Sequence, residues 1–206
     1  MIVNPDIERY MEGLLPARDP LLAEVEAQAA RRGIPIVGPM VGRLLAQLVM
    51  LTGARRVFEL GSAIGYSTMW IARAAGPGAE IHYSDGSEAN GREADEYFAR
   101  AGLKDRIRVH VGDALTELAE TTGEFDIIFN DVDKEGYPAV LAEAPGRLRK
   151  GGLLVTDNTL WHSRVLDPQD DISQAVVRFN RALYDSGLFF TTLLPLRDGV
   201  SVSLKL

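Results

Sequence analysis

The stretch 57–67 constrains the fold of this chain more than any other part of its sequence. It reads V-F-E-L-G-S-A-I-G-Y-S, an apolar strand that ends in Glu59 and enters a turn with two glycines, Gly61 and Gly65. A helical pattern follows at 66–75. Because glycine has no Cβ, a strand–turn–helix of this kind lets backbone N–H groups approach a ligand closely.

Strand and helix patterns continue to alternate along the chain. The predicted strands are 56–60, 80–84, 106–111, 125–130 and 152–156. The predicted helices are 66–75, 88–101, 114–120, 137–149 and 171–185. Strands that alternate with helices of this length predict crossover units and a largely parallel sheet in an α/β fold.

The two ends of the chain depart from this alternation. Near the N-terminus, capping residues and apolar faces predict two helices, one over 20–33 and one over 38–53. At the C-terminus, the segments 189–196 and 200–206 read as two strands joined by a tight turn. That turn predicts an antiparallel hairpin at the end of the sheet.

Length and composition narrow the kind of protein. A chain of 206 residues with 46% hydrophobic and 25% charged residues predicts one globular domain over 1–206, with its core at 54–206. The helices of 1–53 carry more apolar surface than such a core needs. We therefore expect them to cover the site or to pair two subunits in a homodimer.

Several classes of function are excluded or disfavoured. The chain has no cysteine, which excludes disulfides, thiolate zinc sites and cysteine nucleophiles. A net charge of -7 disfavours a nucleic-acid-binding surface. No apolar run approaches the roughly 18 residues that span a bilayer, and the first residues lack a secretory signal pattern. We therefore expect a cytoplasmic protein with no nucleic-acid or membrane partner.

Acidic residues follow the predicted strands at the edge where open α/β sheets bind ligands. Asp85 lies about twenty residues beyond the glycine turn, where an acid can accept hydrogen bonds from ribose hydroxyls. Asp113 follows the third strand and could contact an adenine edge. Both residues also have simpler interpretations: Asp85 as part of a turn, and Asp113 as the cap of the helix at 114–120.

Oxygen ligands follow the fourth and fifth strands. Asp131 ends the fourth strand, and Asp157 and Asn158 end the fifth. Hard divalent cations such as Mg²⁺ prefer carboxylate and amide oxygens, so these three residues predict a metal site. Lys134 lies three residues after Asp131, close enough to act as a general base. A solvated Asp-Lys pair and an Asp-Asn turn are the alternatives.

Two aromatic residues follow the fifth strand and have two interpretations each. Trp161 could form the floor of an aromatic acceptor site or pack against the helix at 171–185. His162 could lie beside it in the acceptor pocket, and as a metal ligand it is disfavoured because Asn158 already completes the pattern. Tyr66 is assigned to the core.

Seven motifs in order resemble the cation-dependent O-methyltransferases, the catechol and caffeoyl-CoA O-methyltransferase-like family within the class I S-adenosylmethionine-dependent methyltransferases. The resemblance covers roughly 19–206. It rests on E-L-G-S-A-I-G-Y-S at 59–67, A-G-L at 101–103, F-D-I-I-F-N-D-V-D-K-E-G-Y at 125–137, G-G-L-L-V-T-D-N at 151–158, W-H-S-R-V at 161–165, F-N-R-A-L at 179–183 and L-P-L-R-D-G at 194–199.

The resemblance implies a Rossmann-like, mostly parallel seven-stranded sheet with helices on both faces and a C-terminal antiparallel hairpin. It implies methyl transfer from S-adenosylmethionine to a hydroxyl of a small catechol-like or phenolic acceptor, with Lys134 as general base. The implied metal ligands are Asp131, Asp157 and Asn158, for Mg²⁺ or else Mn²⁺ or Ca²⁺. The implied cofactor contacts are Val37, Glu59, Gly61, Ser67, Asp85, Asp113 and Asp133.

Three residues depart from the family pattern. Asn130 stands where relatives have an apolar residue, Gly136 replaces an asparagine, and Ser163 replaces a glycine. None of them removes a ligand or the lysine, and all three are expected near the acceptor pocket. Acceptor identity and regiospecificity therefore stay open.

Two other classes of function remain as alternatives. An NAD(P)-dependent oxidoreductase would share the sheet, but its G-x-G-x-x-G motif differs from the E-x-G-x-x-x-G of this chain. A methyltransferase-like fold retained as a non-catalytic binding module would not need the ligands and the lysine.

Overall fold

The computed structural model describes residues 2–206. Its helices are α1 Pro5–Gly13, α2 Pro20–Arg32, α3 Gly38–Thr52, α4 Tyr66–Ala75, α5 Glu88–Arg100, α6 Ala114–Glu120, α7 Tyr137–Arg147 and α8 Asp171–Asp185. Its strands are β1 Arg56–Leu60, β2 Glu80–Asp85, β3 Ile107–Val111, β4 Phe125–Asn130, β5 Leu148–Thr156, β6 Phe189–Leu194 and β7 Val200–Lys205. Short 3₁₀ segments lie at Lys134–Gly136 and Trp161–Leu166.

The seven strands form one sheet in the order β3-β2-β1-β4-β5-β7-β6. Strands β1 to β5 are parallel, and β7 inserts antiparallel between β5 and β6. The mostly parallel sheet and the C-terminal hairpin are therefore confirmed. The strand order reverses between β1 and β4, and open α/β sheets bind ligands beyond the carboxyl ends of the strands at such a point.

Both faces of the sheet are covered by helices, as the strand sequences require. Successive side chains of a strand point to opposite faces, so Val57 and Phe58 of β1 enter different apolar layers. One layer packs the sheet against α2 to α5, and the other packs it against α6 to α8. Runs that are apolar at nearly every position, such as 127–129, are what a doubly covered sheet demands.

The start of α2 follows the expected capping chemistry. Asp19 accepts a hydrogen bond from the N–H of Leu22 at 2.8 Å, and Pro20 occupies the first helical turn. Gly33 ends the helix with a left-handed backbone. No helix within residues 2–206 combines the length and the apolar character that crossing a bilayer would require.

The structure differs from the sequence prediction at α1 and at β5. Helix α1 was not predicted; it has no buried residue, but Asn4 caps it and Pro5 opens it. Strand β5 begins at Leu148, where the sequence pattern extended the preceding helix to 149. Leu148 is buried and pairs with Phe125, so tertiary pairing ends the helix earlier than its local pattern indicates.

The two glycines of the turn after β1 are required by contacts within the protein. Both have a left-handed backbone, with φ near 80°. A Cβ on Gly61 would lie 2.7 Å from the backbone carbonyl oxygen of Asp131, and a Cβ on Gly65 would lie 2.6 Å from the ring of Phe98. The turn therefore packs directly on the end of β4 and on α5.

Gly65→Ala is expected to lower the free energy of unfolding by about 2–4 kcal/mol, because it adds a steric clash with Phe98 to the left-handed backbone penalty. Gly33→Ala is the matched control, since Gly33 has a similar φ and nothing within 4 Å of the added Cβ. It should cost only about 1 kcal/mol. Urea unfolding measures both, and equal losses would contradict the packing argument.

Candidate active site

A cavity of about 1890 Å³ lies beyond the carboxyl ends of the strands, at the point where their order reverses. Loops after β1, β2, β3, β4 and β5 contribute to its walls, and segments before α3 and after β6 close its other side. The cavity brings together most of the residues expected at the site: Gly61, Asp85, Asp113, Asp131, Asp133, Lys134, Asp157 and Asn158.

Three of the expected cofactor contacts lie behind this wall. Glu59 is fully buried, and its carboxylate accepts hydrogen bonds from the hydroxyls of Ser67 and Thr68. Burial raises the pKa of Glu59 to about 7, against the lowering effect of those hydrogen bonds. Val37 is buried between Ile36 and Gly38, which do line the cavity. In this structure the hydrogen bond from Ser67 to Glu59 connects α4 to β1.

Asp85 and Asp113 line the cavity and also make the local bonds that their simpler interpretations predicted. Asp85 accepts hydrogen bonds from the N–H groups of Ala63 and Ser87 at 2.9 and 2.8 Å, which joins the turns after β1 and β2. Asp113 caps α6, where its Oδ1 accepts from the N–H of Thr116 at 2.8 Å. This hydrogen bond lowers the pKa of Asp113.

The ends of β4 and β5 bring the expected metal ligands and Lys134 into one cavity. Lys134 Nζ donates to Asp131 Oδ1 at 3.2 Å and to the carbonyl of Val132 at 3.3 Å. Its ammonium group lies 5.5 Å from the ring centre of Tyr137 and 5.6 Å from that of Trp161. The Lys134 ammonium group therefore contacts a carboxylate and lies near two aromatic rings.

The carboxylates of Asp131 and Asp157 are buried, and burial disfavours their charged forms. Burial, and then the nearby charge of Asp157, raise the pKa of Asp131 to about 7. Burial also raises the pKa of Asp157 to about 6. Asp157 is 3% exposed, and its Oδ1 is buried with no hydrogen-bond partner among the residues described. An unpartnered buried carboxylate oxygen is costly unless something compensates its charge.

This arrangement fits a hard divalent cation. Asp131 and Asp157 supply carboxylate oxygens with raised proton affinity, and Asn158 adds a neutral amide in the same cavity. Residues 2–206 hold no group of three or more His, Asp or Glu side chains arranged for a metal ion. A cation here would therefore depend on two carboxylates and the amide, and the remaining positions would take water or substrate.

The loop after β5 contributes residues whose conformation the sequence did not predict. Asn158, Trp161, His162 and Ser163 all have a left-handed backbone. Trp161 lines the cavity and also packs on the apolar layer that contains residues of α8, while its contact with an acceptor stays a prediction. Its indole N–H is buried without a partner in the described part of the chain.

Asp198 is a cavity residue that the sequence reasoning missed. It follows β6 in the turn of the hairpin, and its Oδ1 accepts a hydrogen bond from the N–H of His162 at 2.5 Å. Its Oδ2 lies 3.5 Å from His162 Nδ1. The signal was present in the block L-P-L-R-D-G, where an acid next to a glycine follows a strand end.

Comparisons with known proteins identify the family of this chain. The family model described as O-methyltransferase matches residues 17–206. The chain belongs to the O-methyltransferase family. A family member, the catechol O-methyltransferase of Mycobacterium tuberculosis, is 33% identical over 177 residues, which cover 84% of this chain and 80% of that protein. The catechol O-methyltransferase of Niastella koreensis is 31% identical, over 92% of this chain and 90% of its own.

A solved structure from the same family has the same fold. The O-methyltransferase from Bacillus cereus, in complex with SAH, superposes with a TM-score of 0.88 at 30% identity. The superposition covers 98% of this chain and 97% of that one. The family expected from the seven sequence motifs is therefore confirmed.

Asp157→Asn is expected to raise the free energy of unfolding of metal-free protein at pH 8 by about 1–3 kcal/mol, because it removes a buried charge. A carboxyl whose pKa is raised on folding binds its proton more tightly in the folded state. The gain should therefore be complete above about pH 6 and vanish below the unfolded pKa of about 4.

Urea unfolding in chelator at pH 4, 6 and 8 measures this gain. Asp105→Asn is the control, because the Asp105 side chain is 66% exposed in a surface loop and should change little. A loss of stability on Asp157→Asn at pH 8 would show that Asp157 is already compensated by the protein.

Proposed function

We propose that this O-methyltransferase transfers a methyl group from S-adenosylmethionine to a phenolic hydroxyl of a catechol-like acceptor, with a divalent cation at Asp131, Asp157 and Asn158 and with Lys134 as general base. One observation carries the proposal. The Lys134 ammonium group lies 3.2 Å from Asp131, in the same cavity as Asp157 and Asn158. The Bacillus cereus O-methyltransferase was solved in complex with SAH, which supports S-adenosylmethionine as the cofactor.

The cofactor contacts divide into two groups. Gly61, Asp85, Asp113 and Asp133 line the cavity and are proposed to face S-adenosylmethionine, with Asp85 toward the ribose and Asp113 toward the adenine. Val37, Glu59 and Ser67 are buried behind the cavity wall. They are proposed to support cofactor binding indirectly, by fixing the residues that line the cavity. S-Adenosylmethionine would supply an electrophilic methyl group, and the cation would supply Lewis acidity toward the two diol oxygens.

Lys134, acting as a neutral amine, is proposed to take the proton of the attacking hydroxyl. The rings of Tyr137 and Trp161 limit where its Nζ can lie, which keeps Nζ close to Asp131. Tyr137 is itself fixed, because its hydroxyl donates to the carbonyl of Asp157 at 2.6 Å. Holding both reactants and the base in place would supply most of the rate enhancement.

The catechol O-methyltransferases among the relatives support a small phenolic diol as acceptor. Trp161 and His162 line the cavity beside Lys134 and are proposed to contact the acceptor ring.

A homodimer is proposed for the same protein, because α1 and α3 expose apolar side chains that a second copy would bury. These are Ile7, Tyr10, Met50 and Leu51.

Lys134→Met is expected to lower kcat at least about 100-fold, because it removes the base and keeps the apolar stem. Affinity for S-adenosylmethionine, measured by calorimetry, should stay within about twofold, since the base does not hold the cofactor. Lys104→Met, at an exposed lysine paired with Asp95, is the matched control. Parallel losses of turnover and cofactor affinity would rule out the general-base role.

Chelation is expected to abolish methylation of a catechol, and Mg²⁺ or Mn²⁺ should restore it, because the diol is proposed to bind through the cation. The measurement is initial rate in EDTA, before and after the metal is added back. Full activity in chelator would exclude a required cation at Asp131, Asp157 and Asn158.

A further inference from the structure

Two histidines outside the cavity wall form a continuous hydrogen-bonded chain with two glutamates. His82 Nδ1 of β2 lies 2.9 Å from His110 Nε2 of β3. His82 Nε2 lies 2.7 Å from Glu80 Oε1, and His110 Nδ1 lies 3.0 Å from Glu117 Oε2 of α6. We call these four residues the histidine chain. The proposed reaction uses none of them.

The two imidazoles meet edge to edge. Their ring centres are 5.1 Å apart and their planes differ by 22°, so the two nitrogens lie nearly on the line between the ring centres. The side chain of His82 is 3% exposed, and its ring stacks on that of Phe58. The contact between the histidines is therefore a directional hydrogen bond inside the apolar layer.

The three contacts of the histidine chain need three protons. A neutral imidazole carries one N–H, and a carboxylate carries none. Two neutral histidines would supply protons for only two of the contacts, and the third would bring two lone pairs together at about 3 Å. All three contacts become hydrogen bonds when the histidine chain holds one more proton than two neutral imidazoles do.

The position of the additional proton follows from the two ends of the histidine chain. Against the raising effect of burial, the hydrogen bond from His82 lowers the pKa of Glu80, so Glu80 is an ionised acceptor. Burial lowers the pKa of His82 to about 4, so His82 is neutral and its proton lies on Nε2, toward Glu80. His82 Nδ1 then accepts from His110, which is left to donate from both ring nitrogens.

Two arginines belong to the surroundings of the histidine chain. Arg56 of β1 lies 3.6 Å from Glu80 Oε2. Arg108 of β3 is exposed, is paired with His82 in the sheet register, and lies on the same face of the strand as His110. Because Arg56 already compensates Glu80, the carboxylate of Glu117 remains to compensate a positive charge on His110.

Glu117 connects the histidine chain to the cavity wall. Its Oε1 would lie 2.8 Å from a Cβ on Gly112, so the carboxylate packs directly on the backbone of this cavity residue. The N–H of Gly112 donates to the carbonyl of Asp85 at 3.1 Å, and the next residue, Asp113, caps α6. A displacement of Glu117 would therefore move the segment that is proposed to face the adenosine part of the cofactor.

We propose that the histidine chain holds one additional proton at neutral pH, with His82 neutral and His110 an imidazolium, and that His110 is a positioning residue for the cofactor wall. Loss of the proton leaves the lone pair of His110 Nδ1 against the carboxylate of Glu117, which separates the two groups and loosens the wall. The effect on the cofactor rests on the proposed function, whereas the protonation state does not.

Long-range ¹H–¹⁵N NMR of the imidazole nitrogens tests the protonation state directly. The sequence contains three histidines, so three ring systems have to be assigned. At pH 7 we expect His82 to carry one proton, on Nε2, and His110 to carry protons on both nitrogens. At pH 9 we expect a neutral His110. A neutral His110 at pH 7, a proton on His82 Nδ1, or an imidazolium that persists at pH 9 would overturn the proposal.

Glu117→Gln tests the proton count. The amide can donate to His110 Nδ1, so two neutral histidines satisfy all three contacts and His110 should be neutral at pH 7. Glu120→Gln is the matched control, since Glu120 is exposed on the same helix, and it should leave the imidazolium in place. An imidazolium that persists in Glu117→Gln would contradict the proton count.

Calorimetric titration with S-adenosylhomocysteine at pH 7 and pH 9 tests the positioning role. The affinity of the wild type relative to Glu117→Gln should fall about threefold to tenfold between the two pH values, because only the wild type loses a charge-assisted hydrogen bond. The ratio cancels the titration of the ligand itself. A constant or rising ratio would overturn the positioning role. Failure of both proteins to bind would overturn the proposed function, and the NMR spectra would still decide the protonation state.

Discussion

The turn after β1 can lie against the end of β4 because Gly61 has no side chain. A Cβ there would lie 2.7 Å from the carbonyl oxygen of Asp131, and the N–H of Asp131 donates to the carbonyl of Leu60 at 2.8 Å. This contact joins the two strands between which the sheet order reverses. The turn after β1 and the proposed metal site therefore share one backbone contact, and a shift in one would move the other.

Two buried carboxylates at the ends of β4 and β5 oppose folding. Two carboxylates with raised pKa values face one cavity, and Lys134 contacts only one of them directly. Buried charge of this kind reduces stability until it is paired, and the proposed cation would pair it. The backbone carbonyl of Asn130 accepts a hydrogen bond from the N–H of Asp157 at 3.1 Å, and this bond joins the ends of β4 and β5 without adding a charge.

The sequence predicted the elements whose local pattern and tertiary role agree. Strand β1, its glycine turn and the hairpin were found because periodicity and turn chemistry indicate the same structure. Helix α1 was missed because no apolar face is buried there, and the start of β5 was missed because pairing with Phe125 ends the helix. Glu59 and Ser67 face each other behind the cavity, and a motif alone does not give side-chain direction.

The loop at the proposed acceptor end of the cavity depends on the C-terminal hairpin. A left-handed backbone at a residue other than glycine costs on the order of 1 kcal/mol, and the loop from Asn158 to Ser163 contains four such residues. The hairpin turn supplies compensating bonds: Thr159 and Leu160 donate to the carbonyls of Gly199 and Asp198 at 3.0 and 2.9 Å. The antiparallel hairpin therefore does more than extend the sheet, because it holds the loop that carries Trp161 and His162 into the cavity.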